Sequence, residues 1–296
     1  MVLMDLKGVM PALMTPFTPD RKIDGTGFKD NIRYMIEHGV SSIVPCGTTG
    51  ESATITLEEH KQLIDIAVDC STVPVIAGTG SNNTSEAIEL TRHATDAGTD
   101  ASLLITPYYN RPNQNGIIAH FDAIASAVDI PIILYNIKSR TGINLEPELI
   151  AKLAEIPNII GVKEASGNLG QVSRIIELTR DSDFIVISGD DALTLPIMSL
   201  GGVGVISVIA NIVPAQTVAF VNAILANDRD EARRLHYQLA PLVRAMFIET
   251  NPIPVKTAAG MIGRAAGPLR LPLAPMSAQN EQKLRSALVS AGLLKG

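Results

Sequence analysis

"IIGVKEASGN", residues 159–168, decides how the rest of the chain is read. Ile159, Ile160 and Val162 read as a buried strand, and Lys163 comes straight after them. Continuously apolar strands are expected where a parallel sheet is covered on both faces. A buried ammonium is costly unless it is paired or loses its proton. The stretch therefore predicts a parallel α/β sheet that holds an amine near the end of one strand.

Similar runs recur along the chain at 9–17, 41–47, 74–80, 101–107, 130–136, 184–190 and 202–208. Amphipathic patterns lie between them. Phe28, Ile32, Met35 and Ile36 share one helical face, as do Val172, Ile175, Ile176 and Thr179. Thr56 with Glu59 has capping-box spacing, and Asn83 with Glu86 resembles it, so both mark helix starts. Eight strand–helix units favour closure into a (β/α)8, or TIM, barrel over an open doubly wound sheet. The barrel is expected over 1–227 and a C-terminal helical extension over 228–296, with "NPIPVK" (251–256) as a proline-rich joint.

The totals exclude several classes. The 296 residues are 46% hydrophobic, ample for a large core, and the net charge of −6 argues against a nucleic-acid partner. No stretch reads as a membrane span: Ala192 to Asn227 lacks charge, but Pro196, Gly201, Gly202, Gly204 and Pro214 break it up. It reads as a strand between two helices. The N-terminus shows no basic start followed by an apolar run, so no signal peptide is expected. Cys46 and Cys70 form no disulfide framework, which suits a reducing cytoplasm. The five histidines are scattered without ligand spacing, so no metal site is expected.

In a barrel, the C-terminal ends of the strands face the active-site mouth. The segments there are "CGTTGES" (46–52), "TPYYN" (106–110), "YNIKSRTG" (135–142), Lys163 and "SGDD" (188–191). Tyr108, Tyr109 and Tyr135, three of the five tyrosines, fall in them. A lysine whose amine is neutralised by burial can attack a ketone and form an imine. The plainer alternative, a lysine paired with Glu164, is poor because adjacent strand residues point to opposite faces. Tyr135, on the neighbouring strand, could pass protons to and from a carbinolamine, and Thr48 and Tyr109 could relay them outward. Taken singly, each is as readily a turn residue or a rim aromatic. Backbone N–H groups around Gly47 and Gly50 could cradle a carboxylate. Arg140 is either a bidentate carboxylate clamp or a solvated loop arginine.

With those residues in hand, the chain resembles the pyruvate-dependent class I aldolases of the N-acetylneuraminate lyase type, and among them the dihydrodipicolinate synthases. "GTTGES", "TPYYNRP", "YNIKSRTG", "GVKEASGNL", "SGDDALTL", "GVISV" and "NPIPVK" match in order over essentially the whole chain. The resemblance implies condensation of pyruvate with L-aspartate 4-semialdehyde to 4-hydroxy-tetrahydrodipicolinate, on the diaminopimelate route to lysine. It implies an imine on Lys163 and no cofactor. Tyr135, Thr48 and Tyr109 would be the relay, with Tyr109 supplied across a dimer interface. Thr49 and backbone groups near Gly189 and Ile206 would hold the pyruvate carboxylate, and Arg140 that of aspartate semialdehyde. A cytoplasmic homotetramer, a dimer of dimers, is implied too.

Two departures stand out. Lys138 occupies a position where the family usually has proline, which would free the loop presenting Arg140 and add a cation. Leu57 stands where relatives that bind lysine as a feedback effector often carry a polar residue. The other matching effector positions are Ser52, Ala53, His60, Asn82, Glu86 and Tyr108. The competing readings are a pyruvate-dependent aldolase cleaving a sugar acid, such as sialic acid or a 2-keto-3-deoxy acid, and a non-catalytic effector-binding barrel.

Overall fold

The computed structural model describes residues 6–295, so the first residues of the stretch read for a signal peptide lie outside it. Seven parallel strands form one sheet: β1 (Gly8–Pro11), β2 (Ile76–Gly78), β3 (Ala101–Ile105), β4 (Ile132–Asn136), β5 (Ile159–Glu164), β6 (Ile185–Ser188) and β7 (Gly204–Ser207). Their order is β1-β7-β6-β5-β4-β3-β2. The eighth member is a stub rather than a strand. Ile43 bridges Val75 and Val44 bridges Ala12, both in parallel. The amides of Val44 and Leu13 bond across to Pro11 and Val44 at 2.9 Å, and Ile76 bonds to Ile43 at 2.9 Å, so residues 43–44 join β1 to β2 and close the barrel.

The expected strand at 41–47 is thus corrected to two bridged residues. Pro45 has no N–H to give to a ladder, and Cys46 leaves the extended region at φ 57°. β4 ends at Asn136 as expected, and the other strands end one to six residues before the expected runs do, where the chain turns into the loops of the mouth. Every residue of β4 and of β5 is buried, as strands covered on both faces require.

A helix follows each strand position: Gly25–Glu37, Leu57–Cys70, Thr84–Ala97, Gln114–Ala125, Pro147–Leu153, Leu169–Thr179, Thr194–Ser199 and Pro214–Leu225. Phe28, Ile32 and Met35 are fully buried on the first, and Val172 and Ile175 on the sixth. Thr56 and Glu59 form the expected capping box. Asn83 caps the next helix through the Ser85 amide, without the reciprocal bond from Glu86. The uncharged 192–227 stretch is a strand between two helices, and no described helix is long and apolar enough to cross a membrane.

Helices Arg229–Met246, Ile253–Met261 and Ala278–Ser290 complete the chain. "NPIPVK" opens the second of them rather than serving only as a joint. Leu239, Ala258, Leu284 and Leu288 share one apolar core with Phe28, Ile32 and Leu63, so the tail packs on the barrel wall.

That tail reaches the mouth through a buried ion pair. Lys256 Nζ lies 2.6 Å from Glu51 Oε1, and both side chains are inaccessible. Glu51 also accepts the Arg270 amide at 3.1 Å, and Lys256 donates to the Pro268 carbonyl at 2.9 Å. Removing one partner of such a pair leaves a buried charge alone, at a cost of about 3–5 kcal/mol. Lys256→Met is therefore expected to lower unfolding free energy by about that amount in urea titration. A loss below about 1 kcal/mol would mean that water relieves Glu51.

Candidate active site

Lys163 and Tyr135 are register partners on β5 and β4, so their side chains point the same way into the barrel. The Lys163 amine sits 4.1 Å from the centre of the Tyr135 ring. Both residues are only 6% exposed. Burial drives the Lys163 pKa down to about 7; Asp191 opposes that shift and Arg140 adds to it. Burial also pushes the Tyr135 phenol up to about 12, against Arg140 and hydrogen bonding with Thr48. The site therefore offers an amine that is substantially neutral near pH 7 beside a phenol that keeps its proton.

Glu164 is not the partner of Lys163. It points away, accepting from Asn136 Nδ2 at 2.9 Å and from the Ser166 amide at 2.8 Å. Asn136 also accepts the Leu145 amide at 2.9 Å, tying the ends of β4 and β5 together behind the reactive pair. Gly189 approaches Lys163 from the end of β6. A Cβ there would lie 3.1 Å from Lys163 Cγ and 2.8 Å from Ala165 Cβ, so a side chain would displace the lysine.

The "GTTGES" segment folds into a single 3-10 turn, Thr48–Gly50. The Gly50 and Glu51 amides are used inside it, which leaves the Thr48 and Thr49 N–H groups outside the turn's own ladder. Thr49 is buried and takes a bond from Asn251 Nδ2 at 3.0 Å. Arg140 donates to the Asn251 carbonyl at 2.9 Å. Ile206 is buried on β7, paired with Met10 of β1.

Thr48 and Tyr135 line a small cavity of about 30 Å³ with Cys46, Leu103 and Ile105. Thr48, Ser52, Gly80 and Ile105 also line a larger one of about 270 Å³, which reaches Arg140, Glu86 and Tyr108. A path thus runs from the reactive pair to the arginine. Five of the effector positions, Ser52, Ala53, His60, Glu86 and Tyr108, stand around the larger cavity. Leu57 does not. His60 Nε2 is already engaged with the Gly78 carbonyl at 2.7 Å, and Asn82 donates to the Tyr108 carbonyl at 3.2 Å.

Tyr109 is the predicted residue that the single chain does not bring in. It is 89% exposed at the rim, with φ 69°, and bonds neither Thr48 nor Tyr135. The loop of Lys138 also differs from expectation. Lys138 opens a hydrogen-bonded turn, Lys138–Thr141, closed by Gly142 at φ 79°, and Arg111 Nη2 donates to the Gly142 carbonyl at 2.7 Å. These bonds hold the loop without proline, because the first position of a turn needs no N–H.

Sequence reasoning passed over Asn251, Asp191 and the Glu51–Lys256 pair. "NPIPVK" and "SGDD" flagged the first two only as segments. The ion pair joins residues 205 apart in sequence, and no local pattern signals it.

A closed parallel barrel thus brings a desolvated lysine, a facing phenol and a turn with two N–H groups outside its own ladder to one end. The chain belongs to the dihydrodipicolinate synthetase family, whose model matches residues 5–291. It is 62% identical over 290 residues to the 4-hydroxy-tetrahydrodipicolinate synthase of Methanothrix thermoacetophila, covering 98% of each chain. Among solved structures it is similar to the dihydrodipicolinate synthase of Aquifex aeolicus, with a TM-score of 0.95 and 45% identity over 98% of this chain and 100% of that one. A synthase structure from Cyanidioschyzon merolae with lysine bound matches with a TM-score of 0.93 and 45% identity, over 97% and 99% of the two chains.

Proposed function

We propose that this chain condenses pyruvate with L-aspartate 4-semialdehyde, through an imine on Lys163, to give 4-hydroxy-tetrahydrodipicolinate. The observation that carries this is the Lys163 amine, desolvated and 4.1 Å from the Tyr135 ring. The neutral amine attacks the keto carbon of pyruvate, and the carbinolamine loses water to leave a cationic imine. Loss of a methyl proton gives an enamine, whose carbon attacks the aldehyde; the α-amine of the same substrate then attacks the imine carbon, closing the ring and releasing the Lys163 amine. Tyr135 donates and recovers protons at each step, with Thr48 passing them toward the rim. Thr49 and the backbone near Gly189 and Ile206 hold the pyruvate carboxylate, and Arg140 takes the carboxylate of the aldehyde. No cofactor is needed, because the imine itself is the electron sink.

The family and relatives favour this reading over sugar-acid cleavage, and the complete set of Lys163, Tyr135 and Thr48 favours it over a non-catalytic barrel. The test is an assay with pyruvate and aspartate semialdehyde, run beside cleavage of sialic acid and of a 2-keto-3-deoxy acid. Faster turnover of either sugar acid would overturn it.

The working form is a cytoplasmic dimer of dimers in which each Tyr109 completes a neighbour's relay. The support is an exposed Tyr109 beside a relay that stops at Thr48. Tyr109→Phe and Lys163→Arg chains, each inactive, should regain about a quarter of wild-type activity when co-assembled, since random mixing restores one site in four. No recovery in mixed dimers separated by a charge tag would place both residues in one chain's site.

Lysine is expected to inhibit weakly. Leu57 can neither donate nor accept and stands outside the larger cavity, so that position supplies no polar partner to an effector seated there; a missing bond costs about 1–3 kcal/mol, or one to two decades of affinity. Calorimetric titration and turnover at rising lysine check this. Tight binding with strong inhibition would show that Leu57 does not govern the response, and recovery of sensitivity in Leu57→His would support its role.

A further inference from the structure

Among the seams between full strands of the described residues, the one between β6 and β7 has the shortest register. One residue pair, Ser188 with Val205, joins these strands in register, whereas β4 and β5 share pairs along their whole length. β6 ends at Ser188, so Ile206 and Ser207 of β7 continue toward the mouth without a register partner on β6. Gly189 and Ile206, the two positions whose backbone is assigned to the keto-acid carboxylate, stand on either side of that seam.

A side chain spans it. Asp191, in the turn after β6, is buried, and its Oδ1 accepts from Ser207 Oγ at 2.6 Å. Its Oδ2 accepts the Val208 amide at 2.9 Å and the Ile209 amide at 3.2 Å. Ser207 Oγ in turn accepts the Ala210 amide at 3.0 Å. One carboxylate thus ties the turn after β6 to the end of β7 and to the turn that follows it. Charge-assisted bonds of this kind are the stronger ones in a protein interior.

We propose that Asp191 is a positioning residue for the reaction: it clamps the β6–β7 mouth so that the backbone at Gly189 and Ile206 meets the pyruvate carboxylate. The inference rests on the imine chemistry proposed above. The groups that bear on Lys163 are Tyr135 from β4, Arg140 from the turn after β4, and Asp191 from the turn after β6. Asp191 is the acid in that set: burial and the neighbouring Asp190 push its carboxyl up, its bonds to Ser207, Val208 and Ile209 hold it down, and in its ionised form it favours the cationic amine and the cationic imine. Its own oxygens are occupied by three donors, which limits its repulsion of an incoming carboxylate.

The experiment uses three variants of the full-length protein and borohydride trapping of pyruvate, which needs no aldehyde. Asp191→Asn removes the charge and at least one acceptor. Ser207→Ala removes one bond and keeps the charge. Asp191→Asn should raise the pyruvate concentration for half-maximal trapping by about 10- to 100-fold, the loss expected for a charge-assisted hydrogen bond. It should also move the pH midpoint of trapping to lower pH. Ser207→Ala should raise the half-maximal concentration by a smaller factor, about 3- to 10-fold, and leave the midpoint in place. Asp191→Glu should recover the midpoint better than the affinity. Half-maximal concentration and midpoint both unchanged in folded Asp191→Asn would overturn the proposal. If Asp191→Asn does not fold, an unchanged half-maximal concentration in Ser207→Ala would overturn it. Failure of the wild-type protein to trap pyruvate would instead sink the imine chemistry itself.

Discussion

Lys163→Arg is expected to abolish the pyruvate adduct and to reduce condensation to background. Arginine keeps the length and the cation but is not deprotonated in proteins, so no neutral nitrogen is available to attack the ketone. The readout is borohydride reduction in the presence of pyruvate, followed by peptide mass spectrometry. In the wild type the reduced adduct should sit on Lys163. An adduct on Lys138 or Lys256 instead would sink the assignment. Lys256 is a fair control, because it too is buried, but Glu51 holds its ammonium at 2.6 Å. The same reaction has a predicted pH profile. An ordinary lysine loses its proton near 10.5, whereas burial brings Lys163 to about 7. The free-amine fraction therefore rises with pH through about 7 and saturates above it. Trapping rates measured at saturating pyruvate should climb between about pH 6 and 8 and then level. A rate still climbing tenfold per unit at pH 9 would mean that the amine is solvated.

Tyr135→Phe should lower turnover by about 10²- to 10⁴-fold, the range that a positioned acid or base contributes. The ring that packs at 4.1 Å from the amine stays, so unfolding free energy should change little. A phenol with its pKa raised to about 12 holds its proton at neutral pH and is suited to donate it to the departing hydroxyl of the carbinolamine. It recovers a proton only as it gives one up, which is why Thr48 must be close. Steady-state turnover with both substrates, beside the rate of adduct trapping, checks this. Near-normal turnover would remove Tyr135 from the relay. Loss of stability in step with activity would assign it to packing.

How much of this was legible in the residues differs from part to part. The barrel was, because continuous apolar runs separated by helical faces leave few ways to bury both faces of eight parallel segments. Lys163 and Tyr135 were, because strand periodicity puts a lysine and a tyrosine at matching ends of neighbouring strands. The strand ends were not: Pro45 and the left-handed Cys46 cut the 41–47 segment to a stub, and an apolar run does not reveal where a ladder stops. The turn at Lys138 was not legible either: it is closed by Gly142 and by Arg111, which the residue at 138 does not announce.

What the sequence by itself determined is the local chemistry: which residue types lie at the strand ends, and that an amine is committed to an apolar wall. Only the tertiary structure decided the pairings on which that chemistry depends. Lys256 reaches Glu51, Asn251 reaches Thr49 and Asp191 spans to Ser207 across 205, 202 and 16 positions. Tyr109 is left facing outward. The physical reason is that burial and hydrogen bonding act through space. A pKa near 7 on Lys163 follows from the desolvation imposed by every strand and loop around it, and no short window of sequence contains that information.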